Sequence, residues 1–155
     1  MSNPSFDDRQ YPQRPVVGVG GVVLVKGRVL LVRRRHEPLA GRWSLPGGVV
    51  ELGETLETGL RREMEEETGL EVTVGPVVDT FDRITRDDAG RVQFHYVLVD
   101  FLCWPVGGAL AHASDADGIE LAAPDDLERF ALTPKTIDVI RRALTLSTST
   151  PPERG

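Results

Sequence analysis

A single cysteine, Cys103, serves the whole chain, so no intramolecular disulfide can form and a thiolate zinc site is ruled against. It lies in an apolar run, where a free thiol ordinarily packs as a small hydrophobe. The three histidines, His36, His95 and His112, are scattered without the spacing of metal ligands. Long apolar stretches are missing as well. The longest, residues 92–104, is interrupted and falls short of the ~20 residues a spanning helix needs, so no membrane partner is expected. Nothing has the charged-then-apolar order of a secretory leader, which sets the expectation of a reducing, cytoplasmic location. Positive charge is in deficit: 18 Lys and Arg face 24 Asp and Glu, for a net charge of −6. That balance argues against a nucleic-acid partner, which would want a basic surface. Aromatic residues make up only 6%, so stacking platforms are few; Trp43, Phe81 and Trp104 are the candidates, and core packing is their more frequent use.

What is present is enough for one hydrophobic core in 155 residues. Residues 1–14 are polar, aperiodic and proline-bearing, and read as a flexible N-terminal arm; residues 147–155 read as a matching C-terminal tail. One domain, residues 15–146, remains. Within it, residues 16–25 and 29–32 read as strands joined at Lys26-Gly27, and residues 33–42 as a charged loop. Residues 43–45 form a short extended piece before Pro46-Gly47-Gly48, a strong breaker. Residues 55–68 form a helix closed by Gly69, residues 71–80 and 92–102 two strands around an Asp87–Gly90 turn, and residues 105–118 a loop. Residues 124–129 make a helical turn or two. Residues 133–146 make a helix with Ile137, Ile140 and Leu144 at helical spacing. Strands mixed with two unequal helices predict an α+β fold, a mixed β-sheet sandwiched between α-helices.

The helix at residues 55–68 carries the chemistry. Leu56, Leu60 and Met64 draw an apolar stripe. At about 100° per residue, Glu63 and Glu67 fall within roughly 20° of Leu56 and continue that stripe, with Glu66 about 80° away. Acids so placed repel one another by about a few tenths of a kcal/mol per pair when exposed. They oppose the helix dipole near its C-terminus. Partly buried and unpaired, each would cost several kcal/mol or take up a proton. A hard divalent cation relieves all three penalties, and carboxylate oxygens suit Mg²⁺ or Mn²⁺. The plainer alternative is a solvated acidic face balanced by Arg61 and Arg62. The loop before the helix favours the cation: Gly47 and Gly48 let backbone approach a ligand closely, and Glu51 and Glu54 bring the candidate carboxylates of this loop–helix unit to five.

The stretch GGVVELGETLETGLRREMEEETGL resembles the Nudix signature, with Gly48, Glu54, Arg62, Glu63, Met64, Glu66, Glu67, Gly69 and Leu70 in register; Met64 departs mildly from the usual aliphatic residue. The likeness extends to RVLLVRR, RWSLPGG and FHYVLVDFLC, and is greatest to the ADP-ribose pyrophosphatase-like branch. It implies the Nudix fold and an enzyme that cuts phosphoric anhydrides with Mg²⁺, Mn²⁺ being a substitute. The implied substrate is a nucleoside diphosphate derivative, ADP-ribose foremost; the alternatives are a nucleoside triphosphate, oxidised ones included, or a nucleotide-sensing domain without catalysis. By the same resemblance Glu63, Glu66 and Glu67 would be metal ligands with the Gly47 carbonyl. Glu63, Glu66 and Arg62 would be catalytic, and Glu54 would brace Arg62. Glu51 has an accessory place, and Gly59 a packing one. Relatives often place the general base in a late loop, here residues 114–120, where Asp115, Asp117 and Glu120 compete with a glutamate of the helix. Arg33, Arg35 and Arg42, with Gly48, are the candidates for holding substrate phosphates. A homodimer, common among relatives, is left open.

Overall fold

A computed structural model of the protein describes residues 9–36, 39–110 and 118–149. Alternation builds the sheet. Strand β1 (Val16–Val25) runs parallel to β6 (Val92–Gly108) and antiparallel to β4 (Gly47–Val49) and β2 (Arg28–Arg33); β5 (Leu70–Arg86) flanks β6, while β3 (Trp43–Ser44) and β7 (Ile119–Ala122) flank β2. Successive side chains point to opposite faces. Val19, Val23, Leu30, Val32, Val99, Phe101 and Cys103 bury one face under helix α1 (Leu56–Thr68). Val22, Val29, Leu31 and Leu102 bury the other under α2 (Pro134–Ser149) and the short 3₁₀ helix Leu127–Phe130. The chain is therefore the expected mixed sheet between helices. Among the described residues no helix is long and apolar enough to cross a membrane.

Helix α1 forms as its caps dictate. The Thr55 hydroxyl accepts the Thr58 N–H at 3.1 Å, and Gly69, in the left-handed region at φ 81°, returns its N–H to the Glu65 carbonyl. Leu60, Met64 and Thr68 are wholly buried, and Gly59 is buried against Glu54 and Val50.

Four elements differ from the sequence reading. Pro46-Gly47-Gly48 does not interrupt structure: Gly47 and Gly48 belong to β4, paired with Gly20 and Val19. A Cβ on Gly47 would lie 2.0 Å from the Val19 carbonyl oxygen, so the absence of a side chain is what allows the strand. Strands β5 and β6 run to 17 residues each, because register shifts at Val74/Val77 and Glu71/Val72 accommodate Pro76 and Pro105. Helix α2 continues to Ser149, and its buried stripe is Val139, Ile140 and Ala143, with Ile137 and Leu144 beside it. Part of the expected arm is anchored: the Tyr11 N–H donates to the Gln93 carbonyl at 2.7 Å and its hydroxyl to Asp87 at 2.8 Å.

Candidate active site

Arg62 organises the loop before α1. Its Nε and Nη2 grip Glu54 at 2.8 and 2.9 Å, a bidentate pair, and Nη2 also donates to the Val49 carbonyl at 3.1 Å. The Glu51 N–H adds a bond to Glu54 at 2.8 Å. With Arg62 as the main cause, the Glu54 carboxyl is held down at about 2, and Glu54 in turn raises the arginine. The expected brace is present. The Glu51 carboxylate stands 3.8 Å from the same guanidinium.

The other carboxylates face a cleft of about 540 Å³ lined by Glu63, Glu66 and Glu67 on α1, by Gly47 and Gly48, and by Arg33, Arg34 and Arg35 at the end of β2. Glu67 is turned inward. The Gly47 N–H donates to it at 3.2 Å, yet burial dominates and pushes its carboxyl up to about 7. Burial also raises Glu63, with Arg62 opposing at 2.9 Å. The Glu63 carboxyl rests on Gly48, whose Cβ, if it had one, would lie 2.3 Å from the Glu63 Cδ. Glu66 is open to solvent, its side chain 62% exposed, and takes a 3.3 Å bond from Arg62.

The donor set fits a hard divalent cation. All of the ligating atoms would be oxygens, two of the three carboxylates are desolvated, and Gly48 lets one of them lie on the backbone. Among the described residues no three such side chains already stand at metal-holding distance. The Arg62 guanidinium sits between Glu63 and Glu66 as their present counter-charge, where the sequence suggested that the three would converge.

The remaining candidates divide. Arg33 and Arg35 line the cleft as expected, and so does Arg34, which alternation along a strand had turned away. The strand ends at Arg33, so strict alternation stops there. Arg34 is depressed by burial and by Arg83, with Glu67 among the charges that oppose this. Arg42 is not among the residues lining the cleft: its Nη2 donates to the Ala131 carbonyl at 2.5 Å, which ties the loop before β3 to the 3₁₀ helix. Glu120 likewise turns from the cleft and pairs with Arg129 at 3.3 Å. Asp115, Asp117 and His112 lie outside the described residues. Among the cleft residues that escaped the sequence reading are Arg83 on β5 and Asp100 on β6. The available signal was an aspartate in the otherwise apolar alternation of Tyr96, Leu98 and Leu102.

Residues 12–143 match the family model described as the NUDIX domain. The chain belongs to this family. An ADP-ribose pyrophosphatase of Methanocaldococcus jannaschii is 34% identical over 117 residues, covering 76% of this chain and 67% of its own length. A MutT-like protein of Streptomyces ambofaciens is 38% identical over 133 residues, 84% of this chain and 78% of that protein. The crystal structure of a MutT NUDIX hydrolase from Burkholderia pseudomallei superposes with a TM-score of 0.69 at 31% identity, over 84% of this chain and 98% of that one. As a Nudix hydrolase the chain is an enzyme, of a family that generally uses divalent metal ions.

Proposed function

We propose that this Nudix hydrolase uses Mg²⁺ to cut the pyrophosphate linkage of a nucleoside diphosphate derivative, with ADP-ribose as the substrate. One observation carries the reading. Desolvated Glu63 and Glu67 share a cleft with three consecutive arginines, so metal-seeking oxygens face phosphate-seeking cations. Glu63, Glu66 and Glu67 would hold the metal, with the Gly47 carbonyl beside them. Bound there, Mg²⁺ supplies charge neutralisation at phosphate oxygens and a lowered pKa for water.

The protein's own groups do the rest. Arg33, Arg34 and Arg35 draw the anhydride into the cleft and hold its oxygens. Glu54 fixes Arg62, and Arg62 positions Glu63 and Glu66 through its Nη1. Glu66, the exposed member, would orient water and accept its proton with an oxygen left free by the metal. The choice of ADP-ribose is supported by the likeness to the pyrophosphatase of Methanocaldococcus jannaschii. The net charge of −6 suits a small substrate rather than a nucleic-acid chain.

The test is hydrolysis of ADP-ribose, nucleoside triphosphates, oxidised nucleotides and dinucleoside polyphosphates, compared by kcat/KM with Mg²⁺ and with chelator. The reading expects activity only with metal, greatest on ADP-ribose. Activity that survives chelation contradicts the metal role, and a triphosphate preference contradicts the substrate.

A further inference from the structure

Asp100 is 7% exposed and lines the cleft, and the charges that face its carboxylate, Arg83, Asp79 and Lys135, close no ion pair on it among the described residues. Buried polar groups are ordinarily satisfied, and a lone buried carboxylate is costly. Arg83 faces the same space. It interacts with Asp100 across it without closing an ion pair, and its guanidinium stands 5.9 Å from the Phe81 ring centroid. The ring is flanked by Lys135 at 4.8 Å, itself tied to Asp79. An acceptor, a donor and an aromatic surface therefore open on one part of the cleft.

Backbone register locates that part. Gly47, Gly20 and Asp100 are successive partners across β4, β1 and β6. At about 4.8 Å per strand, Asp100 lies about 10 Å from Gly47 and its Glu67 bond. Gly20 permits the arrangement, since a Cβ there would come within 2.5 Å of Asp100 Oδ1. The α1 carboxylates and Arg35 sit with Gly47, while Arg34, which feels both Glu67 and Arg83, stands between the two parts. The opposite side is left for the non-phosphate half of a bound nucleotide.

We propose that Asp100 and Arg83 read the edge of an amino-substituted nucleobase, Asp100 accepting from the exocyclic amine and Arg83 donating to a ring nitrogen, with Phe81 packing beside the base. Resting on the nucleotide reading above, this makes adenine the base selected. An ionised carboxylate accepts and never donates, so a base without the amine leaves Asp100 buried and unpaired. Such an omission is where polar sites discriminate most strongly. Thr136, in the first turn of α2, closes the cleft on this side.

Calorimetric titration of the full chain with AMP and with purine riboside 5′-monophosphate, which lacks the 6-amino group, tests the assignment without any anhydride to cut. The wild type is expected to bind AMP at least about ten-fold more tightly. Asp100→Leu, which removes the acceptor at similar volume, should bring the two within about three-fold, and Arg83→Gln should weaken both while keeping AMP ahead. Thermal melting of each variant checks the fold, and the Arg83 variant stands in if Asp100→Leu melts early. Equal wild-type affinities, a preference that survives Asp100→Leu in folded protein, or no monophosphate binding overturns the assignment. Glu66→Gln separates it from the reaction: that variant should lose hydrolysis and keep the AMP preference. If the preference holds in a protein that cuts no nucleotide, the hydrolase reading fails and the base site stands.

Discussion

Glu54 and Glu67 belong to the same loop–helix unit, and the sequence offers no difference between them beyond position. Glu54 has a bidentate arginine and a backbone N–H, and its carboxyl is held at about 2. Glu67 has one backbone N–H at 3.2 Å inside a desolvated cleft, and its carboxyl rises to about 7. The first is satisfied within the protein and serves as structure. The second lacks a full counter-charge, and a group in that state is poised to take one from outside. Partners, rather than residue type, divide bracing from chemistry here.

The sharpest way to break the comparison is to neutralise each side. With Mg²⁺ at fixed concentration, Glu67→Gln and Glu66→Gln should each lower kcat by at least about 100-fold while the melting temperature holds or rises. Steady-state kinetics beside a thermal melt checks this, and near-normal turnover in either variant refutes its ligand role. Gly48→Ala comes next. The three atoms nearest its new Cβ all belong to the movable end of Glu63, so the fold should survive while kcat falls about 10-fold or more as that carboxylate is displaced. A drop in stability without a drop in rate would point to a packing role instead.

Arg62→Lys keeps the charge but loses the fork, and should lower the melting temperature by about 2–4 °C and activity by about 10-fold. Unchanged melting would show that the brace contributes little.

The two glutamates should also pull stability in opposite directions with pH. In chelator, the lowered Glu54 stabilises the fold above its ordinary 4.5 and loses that contribution as pH falls through about 2. The raised Glu67 binds its proton more tightly in the fold. Its ionisation therefore costs stability as pH rises from 4.5 to about 7, on the order of 3 kcal/mol when complete. Denaturant titrations of wild type against Glu54→Gln should converge in acid, and those against Glu67→Gln should diverge toward pH 8 with the variant the more stable. Parallel curves would remove the distinction.

Much of this was legible beforehand because it is local. Gly69 closes α1, and the 3.6-residue period places Leu60 and Met64 in the core with Glu63 and Glu67 close behind. The Glu54–Arg62 brace followed from the Nudix resemblance. What escaped was set by distant partners. Arg42 and Glu120 are engaged by Ala131 and Arg129, which lie in the stretch around the 3₁₀ helix. The glycines of β4 form a strand only because Gly20 and Val19 lie opposite. Asp100 has no local signature; its importance depends on β1 and β6 pairing in parallel, a contact between residues far apart in sequence.

The central claim, that buried oxygens on α1 await a divalent cation, is tested most directly by Mn²⁺ calorimetry at pH 7 in two buffers of different ionisation enthalpy. Wild type should bind the ion with net proton release, since Glu67 is about half protonated there, and Glu67→Gln should bind at least about 10-fold more weakly and release less. Equal affinity and equal proton count in the two proteins would contradict the account.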